Sequence, residues 1–282
     1  MAIRQLRCDM HTHTIYSGHA YSTVRENVIS ASEIGLEMLG IADHYSMMVA
    51  PTAPPAETMR NFAHFMNFHC WPRTWRGVKL LRAAEADIVD AEGHLFGFDV
   101  PITNNQSGGP AEEEGPLLSA VSRKVDYLIA SVHGLPFAKD LSAAQATDMY
   151  IRALEHPKVI GLGHIGRTGL PLELRRLAEA ARDMHKLIEV NEHTFDSSER
   201  EHQRCREIAQ VCAEVGCQIM VSTDAHISPA VGRFPNCIEL LNEIGFPEEL
   251  VASRDAASFE AALDASGVGP VDWEASSLPS AM

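Results

Sequence analysis

Seven short apolar runs alternate with amphipathic stretches along the chain. Strands that alternate with helices of roughly 10 to 15 residues are typical of a parallel sheet. Seven such units over about 240 residues favour a closed or nearly closed barrel over an open doubly wound sheet. The predicted strands span residues 6–10, 38–42, 78–86, 127–132, 159–162, 187–190 and 218–222. The predicted helices include residues 23–34, 143–155, 172–184 and 198–215.

Two segments interrupt this pattern. Residues 99–116 are polar and contain Glu112, Glu113 and Glu114, so we expect an acidic insertion that forms a surface loop. Residues 266–282 are rich in Ser, Gly and Pro, which predicts a weakly ordered tail. The remainder, residues 1–265, is predicted to be a single barrel domain.

Side chains that bind metals follow the apolar runs. The chain contains 14 histidines, about twice the usual share. Because the carboxyl ends of all strands in a parallel barrel meet at one mouth, side chains that are distant in sequence are expected to converge there. Imidazole and carboxylate together are ligands for Zn, Mn or Fe. The residues in question are His11, His13, His19, Asp43, His44, Glu85, His133, His164, Asn191, Glu192, His193, Asp224 and His226.

Their spacing supports a shared site. Alternate residues of an extended segment point the same way, so His11 and His13 can face one ion, as can Asp224 and His226. Each motif alone has an ordinary explanation, such as a packed or capping histidine. Glu85 is different, since a carboxylate at the end of an apolar run is costly unless it is paired or metal-bound. The recurrence at strand after strand indicates a metal site.

The ordered motifs resemble those of the PHP (polymerase and histidinol phosphatase) superfamily, over roughly residues 6–255. The segments Ser17–Thr23, Phe65–Asn67 and Trp71–Arg73 resemble its YcdX-like phosphatase branch. The chain departs from that branch in its longer 99–116 segment and in Gly166-Arg167, where a proline commonly follows the histidine directly. The motifs are Asp9-Met10-His11-Thr12-His13-Thr14, Ile41-Ala42-Asp43-His44, Glu85, Ser131-Val132-His133, Gly163-His164 and Ser222-Thr223-Asp224-Ala225-His226.

The resemblance implies a distorted (β/α)7 barrel, similar to a TIM barrel, with an active site at the carboxyl ends of the strands. It also implies three divalent metal ions, with zinc expected ahead of manganese or iron. Glu85 and Asp224 are the implied catalytic residues, and Glu85 bridges two ions. The implied ligands are His11, His13, Glu85 and Asp224 for the first ion, Glu85, His133 and His164 for the second, and His19, His44 and His226 for the third.

The function expected from this resemblance is hydrolysis of a small phosphorylated substrate by a metal-dependent phosphatase. Three divalent ions and two carboxylates leave a charge of about +4 at the mouth, which suits an anionic ester. The alternatives are an amidohydrolase-type enzyme, which usually has a bridging lysine, a histidinol phosphatase, an exonuclease and a non-catalytic metal-binding module. Arg167 is expected to bind the substrate phosphate or to form a surface ion pair.

Charge and composition limit the classes of binding partner and the cellular location that we expect. A formal net charge of −15 argues against a general nucleic-acid binder. No apolar run approaches the roughly 18 residues that cross a bilayer, and no signal-peptide pattern precedes the first strand, so we expect a cytoplasmic protein. The six cysteines include no CxxC pair and are expected to be reduced. The sequence does not decide between a monomer and a homo-oligomer.

The remaining candidates have supporting roles. Asp9 and Asp43 are expected either to orient ligand histidines or to cap local turns. Glu192 and His193 are expected at the rim of the site. Core or surface positions are expected for the residues His64, His69, His94, His156, His185, His202, Trp71 and Trp75.

Overall fold

The computed structural model describes residues 3–49, 62–104, 112–134 and 136–274. Its strands are β1 Cys8–Thr12, β2 Met38–Tyr45, β3 Thr74–Trp75, β4 Val78–Asp87, β5 Pro101–Asn104, β6 Glu112–Pro116, β7 Tyr127–Ser131, β8 Val159–Leu162, β9 Leu187–Asn191 and β10 Ile219–Ser222. Its helices are α1 Val24–Glu33, α2 Ala63–Met66, α3 Leu117–Ser122, α4 Ala143–Leu154, α5 Leu174–Asp183, α6 Glu199–Val215, α7 Pro235–Glu243 and α8 Ala256–Ala265.

Seven parallel strands form the main sheet in the order β1-β2-β4-β7-β8-β9-β10, and β3 pairs with β4 in the antiparallel direction. Backbone contacts join the first and last strands of this order. The His13 amide donates to the Ala225 carbonyl at 2.9 Å, and Thr12 and Ala225 form a parallel bridge. The sheet is therefore a nearly closed barrel, and the predicted distorted (β/α)7 fold is confirmed.

Apolar side chains fill the lower end of the barrel. The hydroxyl of Tyr127 donates to the Met10 carbonyl at 2.5 Å. Gly40 faces this pair, and a Cβ there would lie 2.7 Å from the Met10 carbonyl oxygen, so the close approach requires glycine. Helix α8 covers the same end, where Phe259 packs against Tyr127 with ring centroids 5.7 Å apart. This packing leaves the carboxyl ends of the strands as the polar end.

The outer helices begin and end close to the predicted positions. Thr23 and Ser142 form capping boxes with Glu26 and Gln145, which fix the first turns of α1 and α4. Helix α5 buries Leu177, Ala178 and Ala181 on one face and leaves its charged residues outside. Since each outer helix starts just after a strand ends, the helix N-termini surround the mouth of the barrel.

The two interrupting segments contain more structure than a loop and a free tail. The ends of the 99–116 segment pair as an antiparallel hairpin of β5 and β6 that buries Ile102. Residues 266–274 pack beneath the barrel, where Val268 is buried and Lys79 lies 4.8 Å from the Trp273 ring centroid. Apolar contact explains the difference from the prediction. Residues 105–111 and 275–282 lie outside the described residues. Among those described, no helix has the length and hydropathy to span a membrane.

Candidate metal centre

All nine predicted ligands converge at the mouth of the barrel. They come from the ends of β1, β2, β4, β7, β8 and β10 or from the residues that follow. Six of the side chains are buried, namely His11, His13, His44, Glu85, His164 and Asp224. His133 and His226 are partly exposed and His19 is exposed. A layer of imidazoles and carboxylates thus lies directly above the apolar barrel floor.

Glu85 lies at the centre of this layer. Its Oε1 is 2.7 Å from His164 Nε2 and 3.3 Å from His133 Nε2. Its Oε2 is 3.4 Å from His11 Nε2 and 3.6 Å from His13 Nε2. Burial acts to raise the pKa of Glu85, but the surrounding histidines, led by His133, hold that pKa well below its usual range. The His44 ring also contacts Oε2, with Nδ1 at 2.7 Å. The two oxygens of one carboxylate therefore face two different sets of imidazoles.

Local backbone irregularities occur at three of these ligands. Between Asp9 and Thr12 strand β1 advances three residues while β2 advances two, which places a bulge in the segment that contains His11. Asp224 has φ of 56° and His164 has φ of 28°, both in the left-handed region that non-glycine residues rarely adopt. Such strain is concentrated at functional sites. Asp224 Oδ1 in turn lies 2.9 Å from His13 Nε2.

His19, His44 and His226 form the outer part of the layer. His19 Nε2 lies 2.9 Å from His226 Nε2 and 3.3 Å from His44 Nε2. Burial, together with the neighbouring His13, lowers the pKa of His226 to about 3. The His226 imidazole is thus neutral near pH 7, which is the form that binds a metal.

His44 faces two of the implied groups. Its Nδ1 lies 2.7 Å from Glu85 Oε2, while its Nε2 faces His19. Among the described residues, three sets of candidate ligand atoms each lie within 4.8 Å of one another. They overlap the three ligand groups that the family resemblance implies, but their members differ. These sets are His13 with His44 and His226, His11 with His13 and Asp224, and His44 with Glu85 and His133.

The buried donor atoms suit cations. His11 Nδ1 donates to Glu189 and His13 Nδ1 donates to Ser17, and the Nε2 atoms of the two rings lie 3.2 Å apart. His44 Nδ1 and Glu85 Oε2 lie 2.7 Å apart without the alignment of a hydrogen bond, and neither atom has another hydrogen-bond partner among the described residues. Crowded imidazole nitrogens around a buried carboxylate that lacks well-aligned hydrogen bonds are favourable around a divalent ion. The residues present therefore fit metal binding.

Glu189, on β9, supports two of the ligands and is absent from the predicted set. Its Oε1 accepts from His11 Nδ1 at 2.8 Å and from the Ser222 hydroxyl. Its Oε2 accepts from the His164 amide at 2.6 Å and from Asn191 Nδ2 at 3.1 Å. This buried carboxylate therefore fixes the tautomer of His11 and the backbone of His164.

Replacing Glu189 with glutamine is expected to weaken metal binding and activity by about 10- to 100-fold. The amide would present a donor where His11 and Ser222 need an acceptor. Metal affinity, measured by competition with a chromophoric chelator, and kcat/KM test this expectation. Glu192→Gln is the matched control, since Glu192 accepts from Asn236 and Cys237 outside the cluster. Unchanged affinity in Glu189→Gln would contradict the supporting role.

Asp87 and Ser17 are two further supports that were not predicted. Asp87 Oδ1 accepts from His133 Nδ1 at 2.6 Å. Burial acts to lower the pKa of His133, but Glu85 and Asp87 raise it to about 10. The Ser17 hydroxyl accepts from His13 Nδ1 at 3.0 Å and donates to Asp43 Oδ1 at 2.7 Å. Both residues therefore orient ligand imidazoles.

The two predicted aspartates have local roles. Asp9 accepts from the Thr223 amide at 3.0 Å and from the Gly232 amide at 2.8 Å, so it holds the turn after β10 and contacts no ligand histidine directly. The first of its two predicted roles is thus wrong, because its side chain faces that turn. Asp43 binds Thr14 and His64 and reaches His13 through Ser17.

Arg167 lies beside the cluster. Its Nη1 donates to Asp224 Oδ2 at 2.8 Å, and its side chain is 29% exposed. Arg167 thus forms an ion pair, but with the buried Asp224, one of the nine candidate ligands, and not with a surface carboxylate. The remaining guanidinium N–H groups can still face a phosphate.

The other candidates surround the centre without joining it. Glu192 and His193 follow β9, and His193 pairs with Asp196. His64 donates to Asp43 at 3.0 Å and stacks on Tyr16 with ring centroids 4.0 Å apart. Trp71 and Trp75 join them around an aromatic cavity of about 760 Å³. Exposed or partly exposed positions are found for His69, His94, His156, His185 and His202.

Comparison with known proteins identifies the class. The family model of the PHP domain matches residues 9–198, which include seven of the nine candidate ligands, from His11 to His164, as well as Glu189. The chain belongs to the PHP family.

Curated relatives and one solved structure extend this result. A probable phosphatase of Clostridium botulinum strain Hall is 36% identical over 247 residues, which cover 88% of this chain and 90% of the relative. A probable phosphatase of Acetivibrio thermocellus is 34% identical over 252 residues, with coverage of 89% and 92%. Histidinol phosphate phosphatase from Lactococcus lactis, complexed with zinc, L-histidinol and phosphate, shares the fold with a TM-score of 0.54 at 18% identity and covers 89% of this chain and 98% of its own.

Proposed function

We propose that the protein is a metal-dependent phosphatase that hydrolyses a small phosphorylated substrate at a centre of three divalent ions. The observation that carries this proposal is the position of Glu85, whose two oxygens face separate sets of imidazoles. A carboxylate in that position can bridge two ions. The names of the relatives support the phosphatase class, and the ligand assignment is the one set out from the sequence.

We assign one group of side chains to each of the three ions. The first is assigned to His11, His13, Glu85 and Asp224, the second to Glu85, His133 and His164, and the third to His19, His44 and His226. When bound, such ions lower the pKa of water to near 7 and neutralise phosphate charge. Zinc is the expected metal because nitrogen donors dominate the set, and manganese or iron also suits it.

The residues of the chain itself position the reacting groups. Asp224 remains ionised, because its neighbours His11 and His13 outweigh burial and hold its pKa well below the usual range. Arg167 is assigned to the substrate phosphate, which it can bind in place of Asp224. Hydrolysis then forms one P–O bond from water, breaks the ester P–O bond and leaves an alcohol and inorganic phosphate.

An assay with paired chromogenic substrates tests this proposal. We expect zinc- or manganese-loaded protein to release nitrophenol from a nitrophenyl phosphate ester. The same protein should leave a chromogenic lactone, a nitroanilide and labelled oligonucleotides intact. Protein carrying Glu85→Gln and purified identically controls for contaminating phosphatase. Activity on the lactone or anilide alone would favour an amidohydrolase-type enzyme, and inactivity on every phosphate ester would contradict the proposal. Glu85 stands in the role that a bridging lysine usually has in amidohydrolase-type enzymes, which argues against that alternative.

A further inference from the structure

A second cavity adjoins the metal centre on the side of Arg167. It has a volume of about 400 Å³ and lies between the loop after β8 and the first turns of α6. Gly166 lets the loop approach the helix, since a Cβ there would lie 3.3 Å from Ile208 Cδ1 and 3.6 Å from the Cys205 nitrogen. Because α6 follows β9, its N-terminal turns lie at the mouth of the barrel, on the same face as the cluster.

Three arginines line this cavity although the chain as a whole is acidic. Arg200 and Arg204 are four residues apart on α6 and therefore share a helix face. Arg167 lines the opposite wall and also contacts Asp224 in the cluster. One arginine side chain thus spans the distance from the metal centre to the cavity.

The arginines retain donors for a ligand. Within the described residues, no carboxylate lies within ion-pair distance of Arg200. Arg204 uses Nη1 toward Glu207 at 3.3 Å, an exposed pair of the kind that contributes little and exchanges readily. Glu201 and Glu207 also line the cavity, so arginines outnumber carboxylates by three to two. A planar guanidinium binds carboxylates and phosphates through two parallel hydrogen bonds.

We infer that the substrate is a phosphate monoester whose leaving group carries a second anionic group, a carboxylate or a phosphate, which Arg200 and Arg204 bind. This inference rests on the proposed function and specifies its substrate class. The reacting phosphate lies at the cluster beside Arg167, and the short leaving group extends into the cavity. A leaving group with an ammonium, as in an amino alcohol phosphate, meets repulsion there.

Four matched esters test the inference. They are propanediol monophosphate, propanediol bisphosphate, the phosphate ester of hydroxypropionate and aminopropyl phosphate. For the metal-loaded full chain we expect kcat/KM to be about tenfold or more higher for at least one of the two esters with a second anion than for the monophosphate, and lowest for the amine. The preferred ester distinguishes a carboxylate from a phosphate.

Substitutions on α6 test whether the preference for a second anionic group arises in the cavity. Arg200→Ala combined with Arg204→Ala is expected to bring the ratio of kcat/KM values close to one. Arg206 lies on α6 as well and pairs with Glu243 of α7. Arg206→Ala is therefore expected to keep the wild-type ratio. Calorimetric binding of a carboxylate-bearing alkyl phosphonate, compared with its hydroxyl counterpart, gives the same comparison without turnover.

Each result decides the inference. Hydrolysis of the esters without a preference for a second anion, or a preference that survives the double substitution, overturns it and leaves the proposed function standing. Inactivity on all four esters by protein that hydrolyses the nitrophenyl phosphate ester also overturns the inference alone, whereas inactivity on the nitrophenyl ester as well overturns the proposed function and this inference with it.

Discussion

Replacing Glu85 with glutamine is expected to lower kcat/KM for a phosphate ester by about 10³-fold or more. The substitution keeps the shape of the buried side chain and removes the charge that faces both sets of imidazoles. The third ion does not use Glu85 in our assignment. The variant should therefore lose two ions and retain the one assigned to His19, His44 and His226.

Steady-state kinetics and metal content of the same preparation check this expectation. Glu92→Gln is a suitable control, because Glu92 is an exposed carboxylate paired with Arg152 away from the cluster. It should retain wild-type kinetics and metal content. A Glu85→Gln protein with full metal content and full rate would show that Glu85 does not bridge two ions.

Removal of the ions by a chelator is expected to abolish activity and to lower the thermal midpoint by on the order of 10 °C. Ions that bind the folded chain stabilise it by mass action. They also neutralise the buried carboxylates of Glu85 and Asp224, which lie with Glu189 in one layer. Without ions these charges depend on the surrounding histidines and, for Asp224, on Arg167.

Reconstitution completes that experiment. Zinc or manganese added after dialysis should restore both the midpoint and the rate of wild-type protein. In Glu85→Gln the same addition should restore a smaller part of the midpoint and little of the rate. If the chelated protein were proven metal-free and still melted and turned over as before, the ions would have no role in either property.

The barrel could be predicted from the sequence because its strands repeat one simple pattern. Each of the seven runs is largely apolar, as is typical of strands buried on both faces in a parallel barrel. The short strands β3, β5 and β6 were not predicted, since polar residues such as those at 112–114 carry no strand pattern. The buried position of Val268 depends on contact with the barrel floor, which local sequence does not encode.

The candidate ligands could be predicted because each follows a strand, whereas their supports could not be found by that rule. Glu189 lies within the run 187–190, and a carboxylate in a buried strand requires a partner, so the reasoning applied to Glu85 would have indicated it. Asp87 shares a strand face with Glu85 two residues earlier, which is a second usable signal. The bulge in the segment that contains His11 and the left-handed backbone of Asp224 depend on packing with neighbouring strands.

Metal content of tag-free protein purified from metal-replete cells, measured by inductively coupled plasma mass spectrometry, tests the central claim most directly. The account predicts about three divalent ions per chain, with zinc expected to predominate. A chain that retains less than one ion under these conditions would show that the converging imidazoles and carboxylates do not form a metal centre.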